Sequence, residues 1–188
     1  MTNGMHVSNR TLVSNRLSLR FLILLAFVHG VFICACMAVW ADSSQVSEIM
    51  ARKLFRLGQQ IADQAHYLEA LDTFDEARDL LEKEQLIKSR LYADVLYACA
   101  QSKIKGRLHR RFPAYLVKSA LKEIQLSNRA RERLSRPVPQ HLADGYYLEG
   151  FIQKRFFRRT NEARQLFEKA IRVYPGHVPS KRQLSELQ

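Results

Sequence analysis

The chain has 188 residues, of which 47% are hydrophobic, and a formal net charge of +12 at pH 7. This length fits one domain behind a targeting segment, and the scarcity of glycine and proline (7 and 5 residues) among stretches of helix-favouring residues predicts an all-α protein. The charge is uneven, because residues 42–84 are net acidic and residues 85–188 are net basic. This imbalance raises the question of an anionic partner.

The N-terminal region predicts membrane targeting. Residues 1–20 form a basic N-terminal region with three arginines and no acid, and an apolar run follows over Phe21–Ala41. About 20 apolar residues span a bilayer, so this N-terminal hydrophobic helix is either a retained transmembrane anchor or a cleaved signal peptide. A lipoprotein signal ending at Cys36 and a mitochondrial presequence are less favoured alternatives. The arginines place residues 42–188 on the non-cytoplasmic side of the membrane, or free in the periplasm or outside the cell.

The spacing of apolar residues predicts seven helices after this segment. Breaks are expected at Asp63–His66, in the loop Gly106–Pro113, and at the proline-containing stretches 136–139 and 174–179. The predicted helices cover about 47–62, 68–81, 85–105, 113–134, 140–156, 161–173 and 179–187.

Small residues recur where the first two helices would cross. Gly58 and Ala70 permit close approach of the two backbones, Phe74 fills the space beside them, and Ala77 lets the next hairpin pack. A second copy of this pattern is present near the C-terminus. The residues predicted to form this packing pattern are Leu54, Leu57, Gly58, Ala70, Phe74, Ala77, Gly150, Ala163, Phe167, Ala170 and Pro175.

The pattern resembles the tetratricopeptide repeat (TPR), a 34-residue helical hairpin that stacks into a solenoid. Counted from Ala51, the first copy departs from the family signature at Ile61 and Glu82. The resemblance implies antiparallel helical hairpins stacked as a short solenoid and closed by a capping helix. The middle repeat matches poorly, so its register stays open. The implied repeats are at about 51–84, 85–135 and 140–177, with the capping helix over 179–187.

The resemblance also implies a groove for a partner protein or peptide, lined by the first helix of each hairpin. Aromatic and long polar side chains at these positions suit an extended peptide or a helix. The alternative is that several of them pack under the neighbouring hairpin. The carboxylate clamp of some family members is not visible in this sequence. The predicted groove residues are Phe55, Arg56, Gln59, Asp63, Tyr97, Gln101, Tyr147, Phe151 and Lys154.

The turns within the second and third hairpins are enlarged and basic. In a stack of hairpins these turns lie along one edge, where they would form a basic rim with Phe112, Phe156 and Phe157. Such a rim is either a solvated edge or a surface for anionic lipid headgroups or an acidic partner. Nucleic acid is disfavoured because residues 42–188 are expected outside the cytoplasm. The predicted rim consists of Arg107, Arg110, Arg111, Lys154, Arg155, Arg158 and Arg159.

The sequence offers no motif for catalysis, a metal or a cofactor. It contains no glycine-rich phosphate loop, no HExxH and no CxxC. Cys99 is the single cysteine after residue 41, so no disulfide framework can form. The sequence therefore predicts a non-catalytic interaction scaffold of the cell envelope. The alternatives are binding of anionic lipids or polyanions through the rim, and head-to-tail self-assembly between the acidic first repeat and the basic later repeats.

Overall fold

A computed structural model describes residues 44–109 and 112–187 of the protein, and within these ranges all regular structure is α-helical. The predicted basic region 1–20 and the predicted hydrophobic segment 21–41 lie outside the described residues, as do Arg110 and Arg111. None of the helices in these ranges combines the length and the apolar character needed to cross a bilayer. The described helices are α1 (44–63), α2 (Tyr67–Lys83), α3 (Arg90–Leu108), α4 (Tyr115–Glu132), α5 (Pro139–Phe157), α6 (Thr160–Val173) and α7 (Val178–Ser185).

Helices α1 and α2 form the first hairpin, and small side chains lie where they cross. Gly58 faces the ring of Phe74 so closely that an added Cβ atom would be 2.5 Å from its Cε1 atom. Ala51, Ala70 and Ala77 are fully buried. The two backbones can approach because no bulky side chain separates them, and the Phe74 ring fills the remaining space.

The same arrangement recurs in the hairpin of α5 and α6. A Cβ atom added to Gly150 would lie 2.7 Å from Cε1 of Phe167. Ala143, Ala163 and Ala170 are also fully buried in this hairpin. The two copies of the packing pattern therefore have the same geometry.

Two residues of the predicted packing pattern do not enter the core. Leu57 is 48% exposed because it points away from α2, on the outer face of α1. Pro175 is exposed in the turn between α6 and α7, where it ends a helix instead of packing. The partly buried Leu54 packs against the core of the first hairpin.

The middle hairpin, formed by α3 and α4, uses different residues for the same contacts. Ala100 and Ala120 are fully buried next to Ile124, so Ala replaces Gly and Ile replaces Phe at the crossing. The hydroxyl of Ser127 donates a hydrogen bond of 2.7 Å to the carbonyl oxygen of Ala93. These contacts fix the register of the middle repeat.

The connection between α3 and α4 is longer than the other hairpin turns, and it folds back onto α3. A Cβ atom added to Gly106 would lie 2.5 Å from Cδ2 of Phe112, which is buried. Arg107 donates a hydrogen bond of 3.1 Å to the carbonyl oxygen of Phe112. Phe112 is therefore a core residue of this connection and not an exposed side chain of a rim.

The third helix begins five residues later than predicted. Gln85 has a left-handed backbone with φ of 57°, which no α-helix can continue through. The helix starts instead after Ser89, whose hydroxyl accepts a hydrogen bond of 3.1 Å from the backbone N–H of Tyr92. Serine is a preferred residue at this capping position.

The hairpins stack in chain order. From α2 onward each helix packs chiefly against the helix before and after it, and α7 packs on α6. Residues Val46–Gln188 make up one compact unit. The first helices of the three hairpins (α1, α3 and α5) contribute side chains to one shared surface. The candidate site lies on this surface.

Candidate functional site

A groove of about 630 Å³ opens between the first helices of the first two hairpins. It contains six of the nine predicted groove residues, brought together from α1 and α3. The helical spacing explains this, because residues three and four apart share a face. The six residues are Phe55, Arg56, Gln59, Asp63, Tyr97 and Gln101.

The three predicted groove residues from α5 do not line this groove. The ring of Tyr147 packs against His177 at 5.6 Å and against Phe151 at 6.4 Å between centroids. The ammonium group of Lys154 donates hydrogen bonds to Gln183 at 3.0 Å and to Glu186 at 3.1 Å. This part of α5 is half-buried, because His177, Gln183 and Glu186 of the C-terminal segment contact Tyr147 and Lys154.

Five ionisable lining residues were not predicted: Asp94, Lys105, Arg131, His141 and Asp144. Asp94 and Lys105 follow the helical spacing of Tyr97 and Gln101, so extending that face along α3 would have found them. Arg131 lies on α4, the second helix of its hairpin. The groove prediction considered only the first helix of each hairpin and therefore missed it.

Arg131 forms the floor of the groove. Its side chain is 6% exposed. Its guanidinium donates to Asp94 Oδ1 at 2.9 Å and to the carbonyl oxygen of His141, and it lies 4.7 Å from the centroid of the Tyr97 ring. One residue thus ties together α3, α4 and the start of α5 beneath the groove.

The polar groups of the groove divide into paired and unpaired sets. Asp94 is paired with Arg131, and Asp144 lies 3.1 Å from Nε2 of His177. A second set makes no side-chain hydrogen bond or ion pair within residues 44–109 and 112–187. This set includes both signs of charge and two amides, so it can bind a ligand without first breaking a contact. Its members are Arg56, Gln59, Asp63, Gln101 and Lys105.

Burial raises the pKa of Tyr97 to about 12. Its phenol therefore stays neutral at physiological pH and keeps its O–H donor. The guanidinium of Arg131 already packs on one side of the ring. The Tyr97 side chain therefore loses little conformational entropy when a ligand binds. Tyr97 is thus a rigid aromatic contact between the unpaired polar groups.

The predicted basic rim is only partly present in the described residues. Arg107 is engaged with the carbonyl of Phe112, and Lys154 with Glu186. Arg155, Arg158 and Arg159 are exposed at the end of α5. The guanidinium of Arg159 lies 5.7 Å from the ring centroid of Phe157. Of the predicted rim residues that the structure describes, the exposed ones are therefore the three arginines at the turn between α5 and α6.

The described residues contain no cluster of three or more His, Cys, Asp or Glu side chains placed to hold a metal ion. Burial raises the pKa of the Cys99 thiol to about 12. The thiol is consequently protonated at neutral pH, and Cys99 packs in the first core as a small apolar residue.

The sequence matches no model of a protein family and no curated protein. Among solved structures, the chain is similar to the second TPR domain of the human RPAP3 protein, determined by NMR in complex with the HSP70 peptide SGPTIEEVD. The TM-score is 0.55 at 14% sequence identity, and the match covers 77% of this chain and 97% of that chain. The fold is therefore TPR-like. The stacked hairpins and their Gly–Phe crossings, described above, agree with this fold.

Proposed function

We propose that the protein is a non-catalytic interaction scaffold that binds an extended segment of a partner protein in the groove between α1 and α3. The observation that carries the proposal is the set of unpaired polar side chains around the rigid Tyr97 ring. The HSP70 peptide bound to the similar RPAP3 domain supports the same use of the fold.

The dimensions and chemistry of the groove fit such a ligand. Its volume of about 630 Å³ falls in the range of about 300–1,000 Å³ usual for ligand sites. Gln59 and Gln101 each offer a donor and an acceptor, which an extended peptide backbone can pair with. Phe55 and Tyr97 offer aromatic surface to its side chains, as binding hot spots commonly do.

A displayed random-peptide library tests the proposal. Peptides are selected on the full-length protein in nanodiscs and then measured against the double variant Gln59→Ala/Gln101→Ala. Selected peptides should lose most of their affinity for this variant. The control is Tyr115→Ala, which removes a 71% exposed aromatic side chain outside the groove. Peptides that bind all three proteins equally, or a library that yields none, would contradict the proposal.

We also propose that residues 21–41 attach the protein to a membrane and that the groove lies on its non-cytoplasmic side, in the cell envelope. The apolar run of 21 residues supports the attachment. The three arginines and the lack of acids before the run favour this orientation, and Arg52, Lys53 and Arg56 after it count against it. Flotation of the native protein with membranes tests the attachment. Protease digestion of intact cells tests the side, since α1–α7 should be cleaved only after the outer barrier is opened.

A further inference from the structure

The outer face of α1 carries an apolar row that no described residue covers. Val46 is 59% exposed, Ile49 56%, Met50 49% and Leu57 48%. These residues lie three, four and seven positions apart, so they share one side of the helix. Most other exposed large apolar residues of the described chain are scattered singly over α2–α7. The row therefore gathers four exposed apolar side chains on one helical face, in contrast to the ordinary scatter of single apolar side chains.

Basic side chains accompany the row. Lys53 lies on the same helical face and is exposed, and Arg52 and Arg56 flank it, also exposed. The guanidinium of Arg52 contacts Glu48 at 2.7 Å, whereas Lys53 and Arg56 make no ion pair within the described residues. An apolar stripe with basic residues in and beside it is the pattern of a helix lying in a lipid interface.

The row lies close in sequence to the predicted membrane segment. The apolar run ends at Ala41, five residues before Val46. Five residues of fully extended chain reach at most about 18 Å. A run that ends at the surface of a membrane therefore keeps Val46 next to that surface, and each further residue of α1 adds only about 1.5 Å.

We propose that the outer face of α1 docks on the phospholipid surface, with Val46, Ile49, Met50 and Leu57 among the upper acyl chains and Lys53 at anionic headgroups. This inference rests on the proposed membrane attachment. A protein partner is the less suitable occupant, because lysine is depleted from the core of protein interfaces. At a lipid surface, by contrast, the long stem of Lys53 can lie along the acyl chains while its ammonium group reaches the headgroups.

Docking of this face would fix the orientation of the domain. The groove residues Gln59 and Asp63 lie on a different side of α1 from the apolar row, as the helical spacing requires. The groove would then open along the membrane surface, within reach of segments of other membrane-attached proteins close to the bilayer.

Tryptophan fluorescence in proteoliposomes tests the inference. The chain has one tryptophan, Trp40, which is replaced in Trp40→Phe to give a silent background. On this background, Ile49→Trp places a reporter in the row. Tyr115→Trp is the matched control, since it replaces an aromatic residue that is 71% exposed on α4. The full chain is reconstituted into phosphatidylcholine–phosphatidylglycerol vesicles whose acyl chains are brominated or unbrominated.

Brominated chains should remove most of the emission of the Ile49→Trp protein and leave that of the Tyr115→Trp protein unchanged. Adding Lys53→Glu should reduce the quenching at residue 49. Unquenched emission from residue 49 in protein that floats with the vesicles would overturn the inference and leave the membrane attachment standing. A blue-shifted but unquenched residue 49 would show that another segment or a second copy of the chain covers the face, and equal quenching at both positions would contradict docking by α1. Protein that fails to float would overturn the attachment and the docking together.

Discussion

The ring of Phe74 occupies the space that a side chain at residue 58 would need, with its Cε1 atom 2.5 Å from where the Cβ atom would be. We therefore expect Gly58→Ala to lower the free energy of unfolding by about 1–3 kcal/mol through overpacking. This loss should appear even though alanine favours a helix by about 1 kcal/mol over glycine. Urea unfolding followed by circular dichroism measures it.

Two further variants separate the crossing from general effects of glycine replacement. Phe74→Leu combined with Gly58→Ala should cost less than the sum of the two single changes, because the smaller side chain leaves room for the new methyl group. Gly176→Ala, in the exposed turn before α7, should be close to neutral. Additive costs for the pair would show that Phe74 does not press on residue 58.

Lys103 and Glu123 form a buried ion pair between α3 and α4, with side chains 9% and 10% exposed. Lys103→Met should lower the free energy of unfolding by about 3 kcal/mol, the lower end of the range for a broken buried pair, because the Glu123 carboxylate keeps only the Ser119 hydroxyl at 3.3 Å and the Arg78 guanidinium at 3.9 Å. The double variant Lys103→Met/Glu123→Leu should recover most of this loss. Equal instability of the single and double variants in guanidinium unfolding would show that packing, and not the unpaired charge, dominates.

Glu132 links α4 to the last full hairpin, since it accepts hydrogen bonds from the Tyr146 hydroxyl and from Lys169. The hydrogen bond from Tyr146, followed by that from Lys169, lowers the pKa of Glu132 below its ordinary value of 4.5. A carboxyl whose pKa is lower in the folded state stabilises the protein above its unfolded-state pKa, and this contribution disappears as the pH falls through the folded-state value.

As the pH drops from 7 through 4.5 and below, the stability of the protein should therefore fall in part because of Glu132. Glu132→Gln should be less stable than the native protein at pH 7, and the difference should close in acid. Thermal unfolding across this pH range measures both. Glu162→Gln is the control, because Glu162 is exposed and makes no ion pair in the described part of the chain. A difference for Glu132→Gln that does not depend on pH would contradict this linkage.

Arg131 should be irreplaceable by lysine. A lysine has one donor group and no planar face, so it cannot contact Asp94, the His141 carbonyl and the Tyr97 ring together. We expect Arg131→Lys to lower the free energy of unfolding by about 1.5–3 kcal/mol, the range for hydrogen bonds to charged groups. Arg133→Lys, an exposed position two residues away, should change it little. Similar stability of both variants would mean that Arg131 does not hold the groove floor.

The first and last hairpins could be predicted from the sequence because their packing rule is local. A glycine in one helix and a phenylalanine in the next specify the crossing by themselves, as Gly58 with Phe74 and Gly150 with Phe167 do. The middle hairpin could not be predicted in this way, because Ala100 and Ile124 stand where the other hairpins have Gly and Phe. Alanine and isoleucine are common in any helix and do not mark a crossing. A long connection also separates these two residues, so their spacing carries no repeat signal.

The candidate site was predictable only where neighbouring residues on one helix determine it. Phe55 and Tyr97 share groove-facing sides of α1 and α3, which helical spacing reveals. Tyr147 holds the equivalent place on α5, but the C-terminal segment packs over it. Whether a given repeat is open or covered depends on the neighbouring segment of the stack, and the repeat pattern does not contain that information. The exposure of Leu57 on α1 also depends on its neighbours in the stack. No hairpin precedes α1 in the described chain, so no side chain buries Leu57.

The chain-order stacking of the helices has a consequence for how the protein opens. From α2 to α7, helices pack chiefly against their neighbours, so the ends of such an array can unfold while the middle stays folded. The groove departs from this order, since its walls come from α1, α3, α4 and α5. A bound peptide would therefore join hairpins that otherwise exchange their amide hydrogens independently. Occupancy of the groove should then be visible as simultaneous hydrogen-exchange protection in α1 and α5.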